Sequence, residues 1–349
     1  MSNVSLTEAI KRKTNRLTNH LTTVPVLTLM PHSRCNARCI MCDIWKANHE
    51  ERTLTAAELN PHLQSIRRMN VQRIVLSGGE PLLHPNLWTL CSEVTRLTNA
   101  KITLLSTGLT LSKHAVEVSK HIDNVIISLD GDEERHNSIR QIPNAFAKIK
   151  KGIVALREHN PNYPVYGRSV IQKSNFRELR KTVAAARELG LNNISFLPVD
   201  VSNDAFNHPA LLPVEQSSSL VLNSAESVEF RDLVEEFITS NQMDFSEKFI
   251  AESPQKFRRI AQFFLAHHNK ANFPTPDCNA PWVSAVVESN GDVMPCFFHK
   301  PFGNIKSDSL NTILNSKAAV QFRKNLDVST DKTCQRCVCT LRLGARSTI

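Results

Sequence analysis

No stretch of 18 apolar residues occurs in this 349-residue chain, which excludes a transmembrane helix. The opening residues, MSNVSLTEAIKRKTNRLTNH, are polar and basic. They lack the apolar segment and cleavage site of a secretory signal, so a cytoplasmic protein is expected. Only two Tyr and three Trp are available for base stacking, and no nucleic-acid module is visible. Nucleic acid is therefore not an expected partner, although the formal charge is +9. That charge fits a basic surface or an acidic substrate. Internal repeats and low-complexity tracts are also missing. With 41% hydrophobic and 21% charged residues, the chain can build a substantial core, as one large domain or two unequal ones.

What is present in force is cysteine. In a reducing compartment, clustered cysteines serve metals or catalysis rather than disulfides. Eight of the nine fall in two groups, one at 35–42 and one at 278–339. Cys91, inside LWTLCSEVTRL, reads as a small buried hydrophobe.

From about residue 25, short apolar runs alternate with helical patterns. The strands expected are 24–30, 73–79, 101–107, 124–130, 165–172 and 192–199. The segments between them carry apolar residues at i, i+3 and i+4. Thr55 and Asn175 are candidate N-caps and Gly190 a C-cap. Such repetition implies a parallel sheet with both faces covered, as an incomplete barrel or an open sheet. Sites in these folds gather at the C-terminal ends of strands. CNARCIMC, SGGEP, STG and SLDG follow strands one to four, so four strand ends aim chemistry at one rim. After Val199 the pattern breaks into polar helical segments. From about 276 the texture changes to a cysteine-bearing region with a hairpin at Asn290-Gly291.

Cys35, Cys39 and Cys42 stand in C-x3-C-x2-C. Structural zinc wants four ligands, and neither His32 nor His49 has zinc-knuckle spacing. A [4Fe–4S] cubane held by three thiolates keeps one iron corner open for a ligand. This motif, with SGGEP after strand two and SLDG after strand four, resembles the radical S-adenosylmethionine (radical SAM) enzymes over residues 25–200. The resemblance implies a partial (β/α)6 TIM-like barrel of parallel strands with a small cysteine-rich extension. It implies a [4Fe–4S] cluster on Cys35, Cys39 and Cys42 whose open iron chelates SAM. An electron from the cluster then yields methionine and a 5′-deoxyadenosyl radical that abstracts a substrate hydrogen.

Residue by residue, the resemblance assigns Gly78, Gly79 and Glu80 to the SAM methionine amino group, where close backbone carbonyls suit an ammonium. Ser128 and Asp130 match positions near ribose and methionine. Arg168 suits the SAM carboxylate. Leu197 and Met41 suit the adenine. Thr107 stands where many relatives carry Asn. Asp130 could instead cap a helix, the lesser reading, and Arg168 could be a surface or structural ion pair. His136 and Arg140 also match a family segment, and a solvated helix face is an equal reading.

The tail resembles the SPASM/twitch extension, which implies a second, auxiliary [4Fe–4S] cluster on Cys278, Cys296, Cys334 and Cys337. No C-x5-C follows, so one such cluster is expected, with Cys339 either an alternative ligand to Cys337 or spare. Four cysteines ending in C-x2-C also suit zinc. The organisation expected is a basic segment 1–24, a barrel core 25–215, a helical insert 216–275 and an auxiliary region 276–349. About 24 residues before strand one are too few for the leader-binding domain of peptide maturases. A small biosynthetic molecule such as a sugar, cyclitol or nucleoside is therefore the expected substrate, with a ribosomal peptide or protein as the alternative. An electron donor such as flavodoxin or ferredoxin completes the partners. A non-enzymatic iron–sulfur carrier or zinc-binding adaptor is the reading from another class, and it leaves the GGE and SLDG motifs without use.

Overall fold

The computed structural model describes residues 4–202, 205 and 214–349. Six parallel strands follow one another across a sheet: β1 (Val26–His32), β2 (Arg73–Gly78), β3 (Lys101–Ser106), β4 (Asn124–Ser128), β5 (Val165–Ile171) and β6 (Ile194–Pro198). They form the partial barrel of the α/β class. Their alternation explains both faces. Leu27, Leu29, Ile74, Leu76, Ile102, Leu104, Val125 and Ile127 are sealed in the core. The intervening Thr28, Val75, Thr103, Ile126, Tyr166 and Arg168 face an internal cavity. Helix Leu87–Leu97 buries Leu87, Leu90, Cys91 and Val94, so Cys91 is a packing residue. Pro61 breaks the second helical segment into Ala56–Leu59, a single 3-10 turn and Leu63–Arg68. Thr55 caps it in a reciprocal box with Glu58.

Asn175 does not cap. Its Oδ1 accepts from Gln172 N at 2.9 Å, and its Nδ2 donates to Asp130 O and Val170 O, both at 3.0 Å. It stitches the ends of β4 and β5 together.

Both edges of the sheet are occupied. At β6, Ile194 N donates to Phe249 O and Ala251 N to Ile194 O, and Phe196 N donates to Glu252 Oε2 at 2.8 Å. The helices Ser224–Ser240 and Pro254–Ala266 flank this patch in sequence, and Phe237 and Phe257 pack on Phe196. The 216–275 segment is thus a cover for an edge strand, which blunts self-pairing. At the other edge, β7 (Ser284–Val287) pairs in parallel with β1, from Val26↔Ser284 to Leu29↔Val287. β8 (Asp292–Met294) and β9 (Gly303–Asn304) continue antiparallel. The hairpin turns at Gly291, whose φ of 94° suits glycine.

The basic N-terminal segment folds as helix Leu6–Thr18. Buried Arg12 pairs with Glu8 and donates to Gly344 O and Ser347 O. Asn15 Nδ2 donates to Trp282 O at 2.9 Å. This helix therefore straps the tail. Among the described residues no helix is long and apolar enough to cross a membrane.

Candidate functional site: a cysteine rim and a second cysteine nest

The loop after β1 is held at several points. Cys35 N donates to Asn48 Oδ1 at 2.9 Å, and Asn48 Nδ2 donates to Cys35 O at 2.8 Å. Arg38 N and Ile40 N donate to Arg140 O and Ile139 O at 3.3 and 3.1 Å. Glu80 N donates to Arg34 O at 2.8 Å. Burial pushes the Cys35 and Cys42 thiols up to about 12, and the neighbouring cysteines push in the same direction. Such thiols become thiolates only beside a strong cation, and a metal centre is the usual one.

The spacing of the sulfurs decides which metal centre fits. Zn–S bonds near 2.3 Å place tetrahedral sulfurs about 3.8 Å apart. No three cysteine sulfurs lie within 4.8 Å of one another, whereas His299, Asp331 and Cys334 do. Both cysteine groups are thus more open than a preformed four-thiolate zinc site, and an iron–sulfur cluster, with its ligands on separate irons, accommodates such spacing.

Gly79 lies directly against the loop. A Cβ there would sit 2.2 Å from Arg34 O, and one on Gly78 would meet Met30 Cβ at 2.9 Å. Only glycine lets β2 pass this close to the first cysteine. Glu80 points beneath the rim and is fully buried. Its carboxylate accepts from Thr107 N (2.7 Å), Leu82 N (3.1 Å) and Ser106 Oγ (3.0 Å), and Thr107 Oγ1 lies 2.6 Å away. Burial raises its pKa, against the pull of these donors, the Thr107 hydroxyl and amide foremost. Thr107 Oγ1 also lies 3.0 Å from Asn36 Oδ1, and Asn36 Nδ2 is buried without a protein partner beside Cys35. An orphan polar atom here fits a rim built for a polar ligand.

Asp130 is fully buried and is no helix cap; Asp132 caps helix Glu133–Arg140 instead. One Asp130 oxygen grips Arg140 at 2.6 Å, and the other accepts from Val170 N at 2.9 Å. Arg140 Nη1 donates to Cys39 Sγ at 3.3 Å. Burial opposes the Arg140 charge, but Asp130 and Cys39 outweigh it and hold its pKa above the usual value. His136 and Arg140 are both buried, which overturns a solvated helix face. His136 Nδ1 accepts from Asp130 N, and its pKa is lowered to about 4 by burial and then by Arg140, with Asp130 acting the other way.

A depressed histidine pKa means that the unfolded chain takes up a proton that the folded chain refuses. Stability is complete above the unfolded value near 6.5 and falls as pH drops towards 4, by about 3 kcal/mol for His136. Urea unfolding of the metal-free chain at pH 7 and pH 5 should show about 2 kcal/mol of this loss, and His136→Gln should flatten it.

One cavity adjoins the rim and a second lies deeper in the barrel. The first, of about 1160 Å³, runs from Gly78, Gly79, Arg168 and Leu197 to Phe297 and Cys339. The second, of about 500 Å³, lies between the barrel interior and the tail, lined by Cys278, Cys296, Cys334, Cys337 and Cys339. Arg168 and Cys339 border both, and Arg168 Nε donates to Ser195 Oγ at 3.3 Å. Ser128 is half-buried at the end of β4, opposite Arg168 on β5. Met41 is buried in the core rather than on either cavity wall.

All five tail cysteines therefore share one nest, joined by His299, whose Nε2 lies 3.5 Å from Cys334 Sγ. Sequence reading passed over His299, Arg140's sulfur contact and Asn48; none carries a local motif. Cys337 is half-buried and donates its Sγ to Cys339 O, and Cys339 is exposed. Cys337→Ala is expected to drop iron from about eight to about four per chain, since each cubane carries four. Cys339→Ala should keep it; iron analysis separates them.

A partial barrel with three loop cysteines and a second cysteine nest defines a two-centre iron–sulfur protein. Residues 29–186 match the radical SAM superfamily, and residues 278–338 match the SPASM iron-sulfur cluster-binding domain. Together these matches span more than half of the chain. The chain belongs to the radical SAM superfamily and carries a C-terminal SPASM region, which implies a SAM-binding [4Fe–4S] cluster and auxiliary iron–sulfur ligation. It is 27% identical over 300 residues to the antilisterial bacteriocin subtilosin biosynthesis protein AlbA of Bacillus subtilis, covering 81% of this chain and 58% of AlbA. It is 28% identical over 160 residues to an AdoMet-dependent heme synthase of Methanosarcina barkeri, covering 45% of each. The chain thus spans about half the length of these relatives. The fold is shared with Streptococcus suis SuiB bound to precursor peptide SuiA, at 15% identity and TM-score 0.63, covering 95% of this chain and 75% of SuiB.

Proposed function

We propose that this protein cleaves SAM reductively and abstracts a hydrogen atom from a peptide held between its two cysteine groups. The observation that carries this is the cavity running from Gly78 and Gly79 to Cys339. Its volume of about 1160 Å³ exceeds the roughly 300–1,000 Å³ of ordinary ligand pockets, which leaves room for SAM and a second molecule. Cys35, Cys39 and Cys42 would hold a [4Fe–4S] cluster, which would supply the one electron that reductive cleavage of SAM needs. Gly78 and Gly79 bring backbone carbonyls to the rim for the ammonium group. Arg168 offers a fork to the carboxylate, Ser128 a hydroxyl near the ribose, and Leu197 an apolar wall. Thr107 and Asn36 present polar atoms beside Cys35, and Asp130 holds Arg140 in place. Cys278, Cys296, Cys334 and Cys337 would hold an auxiliary cluster, which would supply a one-electron acceptor for the substrate radical left after hydrogen abstraction.

A peptide is favoured over the sugar, cyclitol or nucleoside because the match to AlbA, a bacteriocin biosynthesis protein, covers 81% of the chain and reaches into the tail. The test is anaerobic reconstitution, then SAM with dithionite, or with a flavodoxin or ferredoxin as reductant. 5′-Deoxyadenosine should form slowly alone and faster with short peptides. Acceleration by aminocyclitols or nucleosides instead would shift the substrate to a small molecule. No deoxyadenosine from a fully iron-loaded chain under any condition would leave an iron–sulfur carrier.

A further inference from the structure

Arg140 ends helix Glu133–Arg140 with its guanidinium divided between two partners. Nε and Nη2 grip Asp130 Oδ2 at 2.7 and 2.6 Å. Nη1 donates to Cys39 Sγ at 3.3 Å. The counter-ion cannot swing away, because Asp130 Oδ1 accepts from Val170 N on β5. The sulfur cannot swing away either. Ile40 N and Arg38 N, on either side of Cys39, are bonded to the last two carbonyls of the same helix. The Arg140 charge also reaches Cys35 and Cys42, but those two sulfurs take their hydrogen bonds from the backbone amides of Ala37 and Ile44, and of the three only Cys39 is bonded to the guanidinium. The cysteine loop is thus electrostatically lopsided, with a buried cation at one corner. A guanidinium needed only for the Asp130 ion pair would not have to spend a hydrogen on sulfur.

We propose that Arg140 is a positioning residue that draws charge from Cys39 and so raises the reduction potential of the iron–sulfur cluster on Cys35, Cys39 and Cys42. A reduced cluster is one unit more negative than the oxidised one, and a fixed cation with a hydrogen bond to its sulfur favours that state. Arg140, Asp130 and Cys39 are buried, so the effect is only weakly screened. The inference rests on these three cysteines being the cluster ligands.

The experiment is an anaerobic potentiometric titration followed by electron paramagnetic resonance, on wild type, Arg140→Met and Arg140→Lys, each with its iron content. Arg140→Met should need a potential at least about 59 mV lower for half reduction, a tenfold change in the one-electron equilibrium. Arg140→Lys keeps the charge without the fork and should fall between. The auxiliary cluster, on separate ligands, should keep its midpoint in all three. A loaded Arg140→Met chain with the wild-type midpoint overturns the inference. Should that variant fail to load, Arg140→Lys decides by the same criterion. A wild-type chain without any SAM-responsive cluster signal overturns the ligand assignment as well, and so tells the two failures apart.

Discussion

Cys39→Ala is expected to take 5′-deoxyadenosine formation below about one thousandth of wild type, a loss of more than ~4 kcal/mol in barrier terms. Three thiolates are already the minimum that leaves one iron corner free, so removing one leaves a cluster held at two corners. Cys39 is also the most enclosed of the three, flanked by the Arg38 and Ile40 anchors and contacted by Arg140. Iron should fall by about half, to the four that the tail cluster accounts for. Iron analysis beside a deoxyadenosine assay checks both parts. Full turnover by Cys39→Ala would remove this loop from the chemistry.

Glu80→Ala should cost about 3–5 kcal/mol of stability, because it strands several buried donors at about 1–3 kcal/mol each before relaxation. Ser106 Oγ, Thr107 N and Leu82 N would all lose their acceptor. That is a large share of the ~5–15 kcal/mol that holds an ordinary domain folded. Glu80→Gln keeps one acceptor oxygen but turns an NH2 group towards donors, so it should lie between. Denaturant unfolding measures the effect, and SAM affinity measured alongside separates two roles. A latch loses stability first. A residue that contacts SAM through its carboxylate would lose affinity with stability intact.

The strand order of the core was legible because the signal is local. Each of the six parallel strands is an apolar run closed by glycine or a polar turn, and every one appears within a few residues of its expected bounds. The cysteine groups were legible for the same reason, since ligand spacing is written along the chain. Pairing of β7 with β1 was not, because nothing in SAVV names a partner among six similar strands. The pairs Arg140–Cys39 and Glu80–Ser106 were equally hidden. Both depend on which side of a strand or helix the fold turns inward, and an arginine reads alike on a wet or a dry face. Asn175 shows the same limit: its position suits a cap, and tertiary partners took its amide.

The parallel pairing of β1 with β7 carries a consequence for synthesis. Val26 leaves the ribosome early, and its neighbour Ser284 follows only after most of the chain has been made. At 5–20 residues per second that interval is roughly 10–50 s. Throughout it, the outer edge of β1 offers unsatisfied amides and carbonyls on an apolar strand that runs straight into three reactive thiols. A nascent chain in that condition is a template for aggregation and for premature oxidation. Fast translation and early iron–sulfur delivery would then matter more for yield than the stability of the finished protein.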